Sequence, residues 1–453
     1  MEKTGRRKFI KTSSIIASGT LLAPTILTSC SSWKGANDRL NIGHIGIGSR
    51  GWFEILNYFL PLDETRSVAV CDVRKDRVDK ASAYINNYYS NEKGEKGFNC
   101  SGYENFEELL ECKDIDAVHI VTGDYWHLQI AIKAMRAGKH VYLAKPLGLS
   151  YPLMKTLTDE QKKTGLVFHY GTQQRSFDHI NRGINMIREG EIGNIQRIEV
   201  WSPDKSGEQL SVKPGESIPE GFNYDKWLGP APLKPYSEAR CSVRGTWFIY
   251  DYSLGWIAGW GAHPLDVAVM GAKNEMSGNY SLKGSGSFWP QPGLFDTLIS
   301  WDTQIKYDSG LELHYLSSDI AKEVIEKYRE YDATDGTTFF GEKGWISLTR
   351  WTARAANPDL NKKLNNSPKD DKGRIKSEKH RHGANFAKVI KGEMKEFDPL
   401  DEAIMSDCIS HMGNISIRLD KELSWNPGNG KIANPPEANS LFERKMRPPY
   451  NIV

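Results

Sequence analysis

A glycine-rich turn at residues 46–51 constrains this chain more than any other segment. Gly46-Ile47-Gly48-Ser49-Arg50-Gly51 follows Leu40-Asn41-Ile42-Gly43-His44-Ile45, which reads as a short buried strand. Residues 52–60 read as a helix stopped before Pro61. Each glycine between such a strand and helix has a physical task. The first makes a tight turn, the second lets a diphosphate approach the backbone, and the third lets helix and strand pack closely. The helix start adds N–H groups without partners and a positive dipole end. Residues 67–71 read as the next strand, and Asp72 ends it. A carboxylate there accepts both hydroxyls of an adenosine ribose. The turn therefore predicts a dinucleotide cradle of Gly46, Gly48, Ser49, Arg50, Gly51 and Asp72. The charge of Asp72 disfavours a 2′-phosphate, so NAD is expected over NADP; Arg74 and Arg77 nearby leave NADP open.

Strands and helices keep alternating beyond the turn. Residues 74–89, 106–112 and 126–137 read as helices, and 117–121 and 140–143 as strands. Such alternation builds a doubly wound parallel sheet with right-handed crossovers. After Gly171 the texture changes. Residues 195–201, 297–301, 311–316 and 344–349 read as strands of alternating polarity between long loops. Residues 202–244 read as an irregular excursion rich in Pro and Gly, 362–379 as a charged surface loop, and 382–391 and 401–419 as closing helices. The expected fold class is α/β: an N-terminal Rossmann sheet, then an α+β domain with an open, mainly antiparallel sheet. The expected boundaries are 1–30 signal, 31–38 tether, 39–168 dinucleotide domain and 169–453 substrate-binding and oligomerisation domain.

Composition excludes other classes. Of 453 residues, 39% are hydrophobic and 26% charged, a globular balance. The net charge of +2, with dispersed Lys and Arg, gives no footprint for nucleic acid. Cys30, Cys71, Cys100, Cys112, Cys241 and Cys408 form no CxxC pair, so no metal site is expected. The N-terminus reads as an address. Arg6-Arg7 precede an apolar stretch, 13–27, that is short for a membrane span, and Leu27-Thr28-Ser29-Cys30 resembles a lipobox. A lipid on Cys30 would tether an exported, periplasmic domain to a bacterial membrane surface. Free dinucleotide is scarce outside the cytoplasm, so a tightly bound cofactor is expected.

Several ordered segments resemble the Gfo/Idh/MocA oxidoreductase family, typified by glucose–fructose oxidoreductase and inositol dehydrogenase. After the turn and Asp72, Thr122-Gly123-Asp124-Tyr125-Trp126-His127 resembles the family's T-P-x-x-x-H segment, and residues 137–147 its A-G-K-x-V-x-x-E-K-P strand. Residues 171–176 resemble a subgroup hallmark, and Gly259-Trp260-Gly261-Ala262-His263-Pro264-Leu265-Asp266 the D-x-G-x-H-x-x-D helix. The resemblance implies that Thr122, His127 and Lys145 face the cofactor, that Lys145 and His263 are catalytic, and that subunits pair as dimers or tetramers. Two departures stand out: Ala144 replaces the Glu of E-K-P, and Gly259 replaces an Asp that helps hold the reacting hydroxyl in relatives.

Hydride removal from a sugar carbinol needs a base for the hydroxyl proton and a cation for the forming alkoxide. His263 has the ordinary pKa for the first task; Lys145 has the charge for the second, or serves as the acid–base group if burial lowers its pKa. Gln174 and Arg175 are candidates to hold sugar hydroxyls, Trp247 and Trp256 to stack on a ring, and Asp251 or Tyr252 to replace the missing carboxylate. His119, inside a strand, reads as a satisfied core histidine. The residues point to an NAD(P)-dependent oxidoreductase acting on a sugar, polyol or glycoside hydroxyl. Two alternatives stay open: a redox-neutral NAD-dependent glycosidase, which oxidises, eliminates and reduces, and a non-catalytic glycan-binding lipoprotein.

Overall fold

The computed structural model describes residues 39–366, 370–371, 374–375 and 381–452. The signal at 1–30, the tether at 31–38, Cys30 and much of the charged loop at 362–379 lie outside the described residues.

Six strands form the first sheet: β1 Leu40–Ile45, β2 Thr65–Cys71, β3 Ser101–Tyr103, β4 Ala117–Ile120, β5 His140–Leu143 and β6 Phe168–Tyr170. Their order is β3-β2-β1-β4-β5-β6, with every neighbour parallel. This is the doubly wound order, in which the polarity of winding reverses beside β1 and opens a crevice at the carboxyl ends. The sixth strand straddles residue 168, so the sheet reaches Tyr170. The expected helix at 52–60 starts earlier, at Ser49, and its last turn, Ile55–Phe59, widens to π geometry. The helix Tyr151–Thr164 was not read from the sequence. In the middle of the sheet His44 meets Ser67 Oγ at 2.8 Å and His119 Nδ1 at 3.0 Å, and His119 Nε2 meets Glu54 at 2.8 Å. His119 is thus a satisfied core residue, as its strand position suggested.

The second sheet has nine strands: β7 Ile195–Ser202, β8 Tyr280–Phe288, β9 Leu298–Tyr307, β10 Glu312–Ser317, β11 Gly336–Gly341, β12 Gly344–Thr349, β13 Ala353–Ala355, β14 Leu423–Asn426 and β15 Lys431–Asn434. Only β7 and β10 pair in parallel; the other neighbours run antiparallel. The helices Ala262–Met276 and Leu400–Leu419 pack on this sheet. Strand β8 escaped the sequence reading because its LKGSGSF segment has poor strand propensity. Packing demands those glycines: a Cβ on Gly284 would lie 2.8 Å from Ile417 Cγ1, and one on Gly286 2.5 Å from Ser300 O.

A buried ion cluster joins the two halves. Arg175 grips Asp266 through Nη2 at 2.5 Å and Nε at 2.7 Å, and Glu402 through Nη1 at 2.7 Å. Asp398 stands 3.3 Å from its Nε, and Thr172 Oγ1 donates to Asp266 at 2.6 Å. This corrects the reading of Arg175 as a substrate ligand: three acidic groups already hold its guanidinium. Gln174 is corrected likewise, because its amide donates to Asp335 at 2.8 Å inside the protein. His169, His382 and Asp398 bring ligand-type atoms within 4.8 Å of one another. They belong to this network, since Arg175 stands on Asp398 and His382 faces Ser176 Oγ and Tyr170 O. Removing one partner from a buried ion group leaves uncompensated charge. Asp266→Ala is expected to lower unfolding free energy by about 3–5 kcal/mol, read from urea denaturation of the full chain.

Candidate active site

The glycine turn closes at the carboxyl end of β1. Gly46 has φ of +91°. A Cβ there would stand 2.3 Å from Val121 O, and one on Gly51 would stand 2.1 Å from Gly46 O. Gly48 differs: it has φ −69°, and the nearest atom to an added Cβ, Arg77 Nη1, is 3.8 Å away. The fold does not need glycine at 48; a ligand approaching the backbone would. No side chain caps the helix that begins at Ser49, and its first turn holds no acidic residue. Asp72 ends β2 with its carboxylate fixed: Oδ2 accepts from Ile47 N at 2.8 Å and Oδ1 from Arg74 N at 3.0 Å. Burial pushes this carboxyl up, while Arg77 and the two amides oppose the rise. The open Gly48, the uncapped helix start and the anchored carboxylate fit a dinucleotide.

From this turn a cleft of about 360 Å³ runs to Lys145, His263 and Arg350. Its wall includes Gly46, Gly48, Ser49, Arg50, Gly51, Asp72, Thr122, His127 and Trp247. His127 is part of that wall in a particular way. Its Nδ1 meets Pro146 O at 2.7 Å and its Nε2 faces Thr122 O at 3.2 Å. Burial pushes the ring down to about 4, against both carbonyls; in its neutral form it donates to one of them, the nearer being Pro146 O. It ties the loops after β4 and β5 together.

Three titratable groups converge at the far end. Lys145 leaves β5 and donates from Nζ to Gly259 O. Burial, then the neighbouring Arg50, lowers its ammonium to about 8, with Asp124 pulling the other way. Asp124 opens the helix Asp124–Arg136. Burial raises its carboxyl to about 7, against a hydrogen bond from Ser253 and the charge of Lys145. His263 is 3% exposed, and its Nδ1 is buried without a hydrogen-bond partner. Burial, then Arg350, Lys145 and Arg50, holds its ring well below the usual histidine range. His263 therefore departs from its ordinary pKa and is a neutral hydrogen-bonding ring, while the two groups moved toward neutrality are Asp124, to about 7, and Lys145, to about 8.

The sequence reading missed Asp124 as a site residue. It stood in a variable position of the T-P-x-x-x-H segment, yet its place just after β4, at the carboxyl edge, was the available signal. Asp251 and Tyr252 do not replace the missing carboxylate. Tyr252 is fully buried between the rings of Tyr125 and Trp227, with Arg240 at 3.4 Å, and Asp251 lies outside the cleft wall. Trp256 is corrected too: it packs behind the wall against Trp247, Phe248 and Trp260. Trp247, 41% exposed, lines the mouth. Gly259 has open space where a Cβ would stand, and its carbonyl receives Lys145.

Sheet order, glycine turn and convergent cleft define a two-domain protein of the dinucleotide-binding oxidoreductase class. Residues 40–172 match the model of the oxidoreductase family's NAD-binding Rossmann fold, and 200–279 that of its C-terminal alpha/beta domain. The chain belongs to the Gfo/Idh/MocA oxidoreductase family. A glycosyl hydrolase family 109 protein of Saccharopolyspora erythraea is 33% identical over 129 residues, 28% of this chain and 27% of that protein. An alpha-N-acetylgalactosaminidase of Shewanella oneidensis is 27% identical over 217 residues, 43% of this chain and 45% of that protein. The chain thus spans less than half the length of these curated relatives. Among solved structures, scyllo-inositol dehydrogenase from Lactobacillus casei with bound NAD(H) and scyllo-inositol superposes with TM-score 0.56 at 16% identity, over 85% of this chain and 99% of that one. Aldose-aldose oxidoreductase from Caulobacter crescentus gives 0.58 at 14% identity, over 85% and 100%. These likenesses show the shared fold.

The contrast between glycines can be measured. Gly48→Ala is expected to leave stability within about 0.5 kcal/mol, because backbone and space both accept a methyl. It is expected to weaken NAD binding by about tenfold or more, since the methyl occupies the diphosphate approach. Gly51→Ala is expected to cost about 1–3 kcal/mol of stability. Thermal unfolding and calorimetric titration with NAD separate the two.

Proposed function

We propose that this chain oxidises a secondary hydroxyl of a sugar, polyol or glycoside with a retained NAD. The observation that carries the reading is one continuous cleft joining the glycine turn and Asp72 to Lys145, Asp124 and His263. A bound nicotinamide supplies the hydride acceptor. Lys145, in its amine form, takes the hydroxyl proton, and Asp124 beside it shares that proton as the coupled partner. His263, neutral and with a free ring nitrogen, orients the hydroxyl. Trp247 and Trp260 offer aromatic walls for the C–H face of a sugar. Asp72 favours NAD over NADP. The relatives named for inositol and aldose chemistry support the substrate class.

The redox-neutral glycosidase is the second reading, and one observation favours it. Asp124 and Lys145 are both tuned close to neutrality in one site, which supplies an acid and a base in the same cleft. Oxidation of a ring carbinol acidifies the adjacent C–H. A base removes that proton, an acid protonates the departing glycosidic oxygen, water adds to the unsaturated ring, and the hydride returns. The glycosidase names of the curated relatives support this reading. The Arg6-Arg7 pair and Cys30 support an exported, lipid-anchored setting, in which a cofactor that is never released suits chemistry that regenerates it.

Mass spectrometry of small molecules released from the purified full chain is expected to find NAD. Incubation with nitrophenyl glycosides and no added cofactor then separates the readings: nitrophenol release supports the glycosidase, and a keto-sugar product the oxidoreductase. A chain that retains no dinucleotide and gives neither product sinks both. Lys145→Met is expected to slow oxidation by about 10²–10⁴-fold. The rate should rise with pH through the Lys145 step near 8 as the amine forms. The Asp124 carboxylate holds that value up, so Asp124→Asn is expected to move this step to lower pH. Single-turnover rates between pH 5.5 and 9.5 (about four units, spanning both groups) read the shift.

A further inference from the structure

Arg350 follows β12 directly and lines the cleft beside His263. Its guanidinium lies over Trp260 at 5.0 Å. Among the described residues it has no hydrogen-bonded partner for Nε or Nη2, although both atoms are shielded from solvent. The nearest carboxylate, Asp335, stands 4.0 Å from Nε and accepts from Gln174 instead. The other cations in the wall are committed. Arg50 holds Glu54 at 2.6–2.7 Å, Arg77 faces Asp72 at 3.5 Å, Lys226 faces Glu104 at 3.9 Å, and Lys145 donates to Gly259 O. Burial makes the charge on Arg350 costly to keep; Asp335 offsets part of that cost, and the neighbouring Arg50 adds to it.

A guanidinium kept in a cleft with two nitrogens lacking hydrogen-bond partners and its only carboxylate 4.0 Å away is an unusual arrangement, because an incompletely compensated buried charge is unfavourable. Its planar fork matches a carboxylate in two parallel hydrogen bonds, and an aromatic face beneath it holds the fork in plane. The reacting groups Lys145 and His263 are its neighbours in the wall, so the anion it meets is on the molecule undergoing reaction. We propose that Arg350 binds the carboxylate of an acidic sugar, so that the substrate is a hexuronic acid or a hexuronide. This rests on the sugar-oxidation reading and deepens it: Trp260 and Trp247 meet the ring, Arg350 the carboxylate, and Lys145 the hydroxyl that reacts.

Calorimetric titration of the full chain tests the assignment without depending on turnover. The probes are methyl glucuronide, methyl glucoside and methyl glucoside 6-sulfate, and the variants Arg350→Met and Arg350→Lys. The wild-type chain is expected to bind the glucuronide about tenfold or more tighter than the glucoside. Arg350→Met is expected to abolish that preference while NAD content and thermal midpoint stay unchanged, and Arg350→Lys to keep part of it. Equal affinity for acidic and neutral sugars in the wild type overturns the proposal. Sulfate binding as tight as glucuronide binding overturns the carboxylate assignment. Loss of NAD from Arg350→Met with the sugar preference intact assigns the arginine to a cofactor phosphate and overturns it as well. Preferential glucuronide binding without any oxidation or cleavage would refute the function proposed above and leave this inference standing.

Discussion

The Arg175 cluster holds the reacting groups in register. Asp266 lies three residues beyond His263 on the helix Ala262–Met276, so the grip of Arg175 and Thr172 on Asp266 fixes that helix close to where His263 enters the cleft. Thr172 directly follows Gly171, whose N–H donates to Leu143 O at 2.7 Å. Leu143 ends β5, and Lys145 stands two residues on. A short chain of strong contacts thus runs from Lys145 through β5, Gly171 and Thr172 to Asp266 and His263. In a dry interior such contacts are stiff, because any partner left behind is an unpaired polar group or charge. The donation from Lys145 to Gly259 O closes the loop from the other side.

Within that frame, burial sets the chemistry more than local charge does. Burial is the largest influence on Lys145, Asp124 and His263 alike, and it moves acid and base in opposite directions. The ammonium falls and the carboxyl rises until the two nearly meet. The histidine, whose charged form burial also disfavours, falls well below its usual range. The cleft therefore contains one proton-sharing pair, one neutral ring and one arginine whose Nε and Nη2 have no hydrogen-bonded partner. The division of tasks between proton handling and anion recognition follows from that arrangement.

Much of this was legible in residue order. The strand–turn–helix at Gly46 to Gly51, the carboxylate at Asp72 and the Lys145 position at the end of β5 depend on local sequence, and the structure places all of them along one cleft. Features decided by distant partners were not legible. Arg175 and Gln174 carry the same polar groups a sugar ligand would; only packing shows that Asp266, Asp398, Glu402 and Asp335 take them. Tyr252 and Trp256 have the right chemistry for a sugar site but face the core. Strand β8 hid behind its glycines because the requirement for them comes from Ile417 and Ser300, each on another element.

The sequence by itself determined that a dinucleotide crevice exists and where its phosphate-facing turn lies, because three glycines and a strand-ending Asp act over a few bonds. It also determined that Lys145 and His263 belong to one protein surface chemistry, through ordered segments along the chain. The tertiary structure alone decided which groups titrate near neutrality, which carboxylate joins Lys145, and which arginine is left to meet an anion. Those outcomes depend on desolvation and on charges brought together from residues 50, 124, 145, 263 and 350. Separation along the chain carries no information about either.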